Sequence, residues 1–360
     1  MSGQFIGIDT SCYTTSAACV STDCKSVDCK SVDCESVDYE SMDRGGEWEG
    51  SIVSDRRTVL SVAQGERGLR QSDGVFQHVR NLSSLVPAVM ADARREAIRA
   101  VGVSARPRPE EGSYMPVFLA GKAAAVALAE GLGVELMEFS HQEGHVRAAL
   151  VGNEGLMDKP FLGMHLSGGT TEIFTVEPGL KITLLGGTDD LHAGQLVDRA
   201  GVAMGLPFPC GKHMEALASG FRGALTLKLP SSVRGLTCSF SGTESAVQRA
   251  LAAQTANANS AHAESAYAET AFAETAYAVY DAMARTFVKL LLSARERTGL
   301  EVALLAGGVA SSGLLRAMLL ERMQKRGGMR LYFGASALSS DNAVGAALLA
   351  RDCWQRGREC

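Results

Sequence analysis

Two histidines, His141 and His145, stand four positions apart in the run S-H-Q-E-G-H. On a helix that spacing puts both imidazoles on one face, where they can grip a single cation. A carboxylate is a suitable third ligand, and Asp341, in L-S-S-D-N-A, is the best candidate. It is read as opening a helix, where the N-terminal dipole favours a negative charge; an ordinary helix N-cap explains the same residue. The expected centre is one divalent metal held by His141, His145 and Asp341. A protease of the H-E-x-x-H type is excluded, because Glu143 lies one position off and the general base of that motif is missing. Three further stretches could face an anion: Asp9-Thr10-Ser11, Ser167-Gly168-Gly169-Thr170-Thr171 and Ala306-Gly307-Gly308-Val309. Each puts small residues at the end of a strand, where backbone N–H groups can approach a phosphate. A tight turn explains any one of them without a ligand; their recurrence in this order is the stronger signal.

The elements that must hold these groups follow from periodicity. Strands are expected over 4–8, 15–20, 52–60, 100–103, 161–166, 172–176 and 302–305. Helices are expected over 77–99, 120–132, 195–204, 212–218, 282–295 and 342–351. Strands open both halves and helices follow, which is the pattern of an α/β protein with two similar lobes. The boundaries are expected at 1–150 for the first lobe, completed by the C-terminal helix 342–360, and 151–341 for the second. Two low-complexity insertions interrupt this plan, each with a period of five that fits neither helix nor strand. The first, 23–43, repeats C-K-S-V-D and is read as a loop between strands. The second, 254–277, repeats A-E-T-A-Y and its Ala and Glu content favours extension of a helix.

The chain has 360 residues, room for two cores, with 46% hydrophobic and 21% charged residues as in globular proteins. No apolar run is long enough to span a bilayer and the start M-S-G-Q-F-I-G-I lacks the form of a secretory signal, so a cytoplasmic protein with no membrane partner is expected. A net charge of −5 does not advertise nucleic-acid binding by the molecule as a whole. Local arginines (Arg56, Arg57, Arg67, Arg70, Arg80 and five more between Arg94 and Arg108) read as solvated surface or as an RNA-contacting face. Nine cysteines without a C-x-x-C, with Cys24, Cys29 and Cys34 spaced by five, match no common zinc pattern.

The stretches F-I-G-I-D-T-S, S-H-Q-E-G-H, L-S-G-G-T-T, A-G-Q-L-V-D-R-A-G-V-A-M-G-L-P-F-P-C-G, C-S-F-S-G, A-G-G-V-A-S-S-G-L-L-R and S-D-N-A carry a more specific likeness. In order and spacing the chain resembles the tRNA N6-adenosine threonylcarbamoyltransferase family, also known as glycoprotease or peptidase M22, over nearly its full length. The resemblance implies an α/β, two-lobed fold of the actin, sugar-kinase and Hsp70-ATPase type, with RNase H-like lobes, mixed sheets and loops that clasp a nucleotide. It implies that His141, His145 and Asp341 hold the metal, Fe(2+) ahead of Zn(2+). It also implies that Leu166, Ser167, Gly168, Gly169 and Thr170 contact the adenylate, threonylcarbamoyl-AMP or an ATP-like ligand. Asp198, Gly211 and Glu215 fall where the family binds the rest of the nucleotide, Glu215 as a ligand to the ribose. Asp9, Ser11 and Ser312 complete the expected substrate-binding set, and no catalytic residue is assigned outside the metal site. The implied reaction transfers threonylcarbamoyl to N6 of an adenine in the tRNA anticodon loop, at position 37, with protein partners of a transfer complex.

The chain departs from the family pattern near the substrate. Tyr13 and Thr14 stand where the family has two carboxylates, Ser312 stands for an asparagine, and the loop A-R-P-R-P-E-E-G-S-Y-M-P replaces a Gly- and Pro-rich one. The segment 65–81 keeps only a histidine before a helix, His78, read as packing or as a ligand. His165 stands where some relatives carry a tyrosine near the metal, either a fourth ligand or a histidine at a strand end. Two other functions remain open on these residues: a paralogue with a different carbamoyl or ATP-linked transfer, and a nucleotide-binding, non-catalytic assembly subunit.

Overall fold

The computed structural model describes residues 3–11, 13–22, 51–61, 69–260 and 265–357. The first repeat, with Cys24, Cys29 and Cys34, and Arg67 lie outside the described residues. The chain divides into two units, Met1–Met157 with Ala335–Cys360, and Asp158–Gly334. These boundaries, not 150/151 and 341/342, assign Asp341 to the first unit.

In the first unit, β1 (Gln4–Asp9), β2 (Thr14–Ser21) and β3 (Ile52–Val59) form an antiparallel meander. β4 (Ile98–Arg106) then pairs parallel to β1, and β5 (Glu135–Ser140) parallel to β4, giving the order β3-β2-β1-β4-β5. Every residue of β1 is buried, because helices cover both faces. Side chains alternate across a strand. Ile6 and Ile8 join the core made with α1 (Gln71–Asp92) and α2 (Phe118–Leu132). Gly7, between them, meets α9 (Val344–Gln355) on the other face. A Cβ on Gly7 would sit 2.1 Å from the Ala343 carbonyl oxygen, and one on Gly102 would sit 2.3 Å from that of Ala346. Glycine is required there because backbone lies directly on backbone.

The same rule seats α9 on α3 (His141–Ala149), since a Cβ on Gly345 would lie 2.0 Å from the Gly144 carbonyl oxygen. One turn further on, Arg147 donates from Nε to Asp352 at 2.5 Å, with the arginine only 2% exposed. Asp352→Ala should cost about 3–5 kcal/mol of stability, because it strands a buried guanidinium. A urea titration reads this as a lowered midpoint with unchanged slope; a midpoint within experimental error of the parent would show that the pair contributes nothing.

The second unit repeats the plan. β6 (Phe161–Leu166), β7 (Thr171–Glu177) and β8 (Lys181–Thr188) form a meander, and β11 (Val302–Ala306) and β12 (Arg330–Phe333) add in parallel beside β6. With β9 (Ser232–Arg234) and β10 (Thr237–Ser239) the order is β12-β11-β6-β7-β8-β10-β9. The helices are α4 (Ala193–Ala203), α5 (Gly211–Gly220), α6 (Ser241–Ser260), α7 (Ser265–Thr298) and α8 (Gly313–Lys325). The second insertion continues α6 and begins α7, apart from 261–264, which lie outside the described residues.

Two of the differences from the expected boundaries have a clear physical reason. The helix expected over 77–99 begins at Gln71 and ends at Asp92, and residues from Ile98 belong to β4. The run Ile98, Val101 and Val103 is buried on a sheet, so its apolar spacing continues the helical pattern only by coincidence. The last helix begins at Val344, with Ala343 as its N-cap, so Asp341 does not open it. Asn342 takes the capping part instead, its side-chain oxygen accepting from the Gly345 N–H at 3.3 Å.

Candidate active site

α3 begins where β5 ends, and the junction is fixed by a capping box. The Ser140 hydroxyl accepts from the Glu143 N–H at 3.2 Å, and Glu143 accepts from the Ser140 N–H at 2.6 Å. This employs the one carboxylate in S-H-Q-E-G-H and leaves the first turn to present His141, with His145 one turn on. The S-x-x-E spacing is itself a legible capping signal. Nε2 of His141 and Nε2 of His145 lie 2.9 Å apart, and Asp341 Oδ1 lies 3.2 Å from the latter and 3.5 Å from the former. Ligands bound to one ion at about 2.1 Å are separated by about 3.0 Å in octahedral and about 3.4 Å in tetrahedral geometry. All three donor pairs lie within about 0.1 Å of that range, and among the described residues this is the one cluster of three such groups.

Asp9 stands behind the cluster. Its Oδ2 accepts from His141 Nδ1 at 2.9 Å, and its Oδ1 accepts from the Ser11 N–H at 2.8 Å and the Ser11 hydroxyl at 2.5 Å. A carboxylate on the far nitrogen fixes the tautomer that turns the Nε2 lone pair toward a metal. The first of the three expected anion loops is therefore filled from within: Asp9 is 1% exposed, Ser11 is buried, and both donors of Ser11 are spent on Asp9. A buried carboxylate repels a phosphate, so Asp9 acts toward His141 and not toward a nucleotide. Sequence reading missed that role because Asp9 and His141 are 132 positions apart.

The charges divide accordingly. Burial works to lower His141, but the Asp9 charge, hydrogen bonds to Asp341 and Asp9 and the Asp341 charge hold its pKa up at about 10. Burial and the neighbouring His141 charge push His145 down, so the pair carries one proton. Asp9 and Asp341 both stay ionised, since their histidine partners outweigh the effect of burial. His78 lies in the same unit, fully buried, with Nδ1 hydrogen-bonded to the Thr15 hydroxyl at 2.8 Å, a packing position. His165 lies in the other unit, on β6, paired in register with Glu172 and Ala306. Arg56 and Arg57 are ion-paired with Asp92 and Asp55, and Arg57 also donates to the Ser340 hydroxyl at 2.8 Å, next to Asp341.

The second unit gathers the other expected residues at the carboxyl ends of β6 and β11, adjacent parallel strands where α/β folds bind ligands. Leu166 ends β6 in the core. The turn after it is closed by the Ser167 N–H donating to the Thr170 carbonyl at 2.8 Å, and the Ser167 hydroxyl accepts from the N–H groups of Gly169 and Thr170. Gly168 and Gly169 are exposed at its tip. Gly307, at φ +97°, lies against Leu166, and the Val309 N–H donates to the Leu166 carbonyl at 2.9 Å. The two glycine loops are thus side by side. Ser312 caps α8, and Glu215 of α5 accepts from the Leu314 N–H at 2.9 Å, joining the starts of α5 and α8. Asp198 accepts from the Cys210 N–H at 2.8 Å, just before Gly211, and burial pushes its pKa up. Tyr280, absent from the sequence reading, donates to the Gly211 carbonyl at 3.3 Å.

The model of the tRNA N6-adenosine threonylcarbamoyltransferase family matches residues 70–348, which span His141, His145, Asp341 and all of these loops. A tRNA N6-adenosine threonylcarbamoyltransferase from Polaromonas sp. (strain JS666 / ATCC BAA-500) is 32% identical over 287 residues, 78% of this chain and 78% of the relative. The chain belongs to the tRNA N6-adenosine threonylcarbamoyltransferase family. Among solved structures, full-length HypF in its phosphate- and nucleotide-bound form matches with a TM-score of 0.55 at 10% identity, over 99% of this chain and 47% of that one. A ROK family glucokinase from Streptomyces griseus, in complex with glucose and AMPPNP, matches with a TM-score of 0.50 at 13% identity, over 97% of this chain and 100% of that one. At these identities the likeness is one of fold, the two-lobed α/β fold of sugar kinases. No helix among the described residues is long and apolar enough to cross a membrane.

Proposed function

We propose that the chain transfers the threonylcarbamoyl group of threonylcarbamoyl-AMP to N6 of adenine 37 in tRNA, as an acyltransferase acting in the cytoplasm. The observation that carries this reading is the convergence of two imidazoles and one carboxylate at metal-ligand spacing, backed by Asp9, in a member of this family. Two histidines and one carboxylate are a donor set used by both non-haem Fe(2+) and Zn(2+) sites, and the family resemblance favours iron. When bound, the metal supplies a Lewis acid to an acyl carbonyl. His141 and His145 would hold it through Nε2 and Asp341 through Oδ1, while Asp9 keeps His141 in the ligating tautomer.

In the reaction the N6 amine attacks the carbonyl carbon of the mixed anhydride, the bond to the phosphate oxygen breaks, the amine loses a proton and AMP leaves. AMP is already a good leaving group, so the protein contributes chiefly orientation and charge stabilisation. In the second unit, the exposed glycines Gly168 and Gly308 offer N–H groups suited to the adenylate phosphate, and Glu215 and Asp198 offer acceptors suited to ribose hydroxyls. Protein partners of the threonylcarbamoyl transfer complex would act with it. Tyr13 and Thr14, in place of two carboxylates, favour one alternative, a paralogue that uses the same metal and adenylate for another acceptor.

Reconstitution decides between them. Purified chain with Fe(2+), threonylcarbamoyl-AMP, partner subunits and unmodified tRNA should yield threonylcarbamoyladenosine, detected by mass spectrometry of nucleosides. AMP release without modified adenosine would favour the paralogue, and neither product would sink the enzymatic reading. Metal binding should also depend on pH. A cation must displace the proton that His141 holds up to about pH 10. Raising the pH depletes that proton, so apparent affinity should rise about tenfold per unit roughly between pH 6 and 8, with one proton released per metal. Calorimetry in buffers of different ionisation enthalpy counts the proton; affinity independent of pH would contradict the assignment of His141.

A further inference from the structure

Tyr280 lies in none of the motif stretches that carry the family resemblance, yet it sits among the residues they bring to the nucleotide. It is 2% exposed on α7, and a phenol hydroxyl buried that deeply needs partners. It donates to the carbonyl of Gly211, the first residue of α5, at 3.3 Å. It also has Ser312, the N-cap of α8, among its neighbours. Burial first, then the charges of Glu215 and Asp198, push its pKa up, so the hydroxyl stays a donor at all working pH values.

The two helices begin side by side. Glu215 of α5 holds the Leu314 N–H of α8, and the Ser312 hydroxyl holds the next one, of Leu315, at 3.2 Å. Ser312 is the position where the family pattern has an asparagine. A serine reaches less far and is already engaged in capping. Tyr280 holds Gly211, at the head of α5, and Glu215 carries that placement on to α8.

We propose that Tyr280 is a positioning residue of the nucleotide subsite, in which its hydroxyl fixes Gly211 at the head of α5 and so, through Glu215, sets the spacing of the α5 and α8 starts around a ribose. This presupposes that the second unit binds an adenine nucleotide. Tyr280→Phe removes one oxygen and keeps the ring. Titration calorimetry of the full chain with AMP should show affinity about fivefold to tenfold weaker for the variant, the loss expected for one hydrogen bond. The preference of the parent for AMP over 2′-deoxy-AMP should shrink in Tyr280→Phe, a readout that a merely structural role would not move. A parent chain that binds no AMP overturns the nucleotide reading and this assignment with it. A parent that binds AMP and a Tyr280→Phe variant with unchanged affinity, or with AMP and 2′-deoxy-AMP weakened equally, overturns the role of Tyr280 and leaves the nucleotide reading standing.

Discussion

His141→Ala removes stoichiometric metal binding and with it transfer activity, whereas Asp9→Asn keeps a metal that binds about 10- to 100-fold more weakly. The difference follows from the geometry. His141 would supply one of three donor atoms, and the two that remain would form a poor site for a transition metal. Asp9 supplies none, but it accepts from Nδ1 at 2.9 Å and so fixes which nitrogen faces the centre. An asparagine oxygen can still accept that hydrogen bond, though without the charge that raises ligand basicity. Metal content after equilibrium dialysis against Fe(2+) or Zn(2+) separates the two variants. Full occupancy in His141→Ala would remove the histidine from the site, and unchanged affinity in Asp9→Asn would show that Asp9 does not act through it.

Gly7→Ala is expected to be among the most damaging changes that touch no ligand. Its new Cβ would lie 2.1 Å from the Ala343 carbonyl oxygen and 2.7 Å from the Ala347 nitrogen, so the start of α9 must move away from β1. Neither strand nor helix can yield cheaply, because both are covered by backbone contacts. The cost should reach or exceed the upper end of the usual overpacking range, about 3 kcal/mol. Asp341 stands two residues before Ala343, so the same displacement should pull its carboxylate away from the histidines and weaken metal binding. Gly345→Ala provides a second route to the same end, since it meets the Gly144 carbonyl between the two histidines. Thermal unfolding and metal titration on both variants read the two effects separately. A Gly7→Ala chain with parental stability and metal affinity would mean that the seating of α9 does not position Asp341.

The pairing of His141 and His145 was legible because helical spacing is a local property, and the S-x-x-E cap beside it marks where the helix starts. The strand plan was legible for the same reason: runs such as 4–8, 161–166 and 302–305 are short, buried and bounded by turn residues. Helix ends were less legible. Four polar residues, 339–342, precede Ala343 and α9, and only the fold shows that Asn342 caps it while Asp341 is left to face the histidines.

The order of residues thus specified two α/β units, a pair of imidazoles on one helix face and glycine loops after two strands, all features that arise within a dozen neighbouring positions. Tertiary structure decided what these features meet. It turned Asp9 from a loop residue into the partner of His141, and it seated α9 through Gly7, Gly102 and Gly345 so that Asp341 completes the centre. It also drew Tyr280 against Gly211, 69 positions away. Each of these is a contact between distant segments, set by which backbones can approach closely. That information resides in sheet order and helix packing, and no local spacing encodes it.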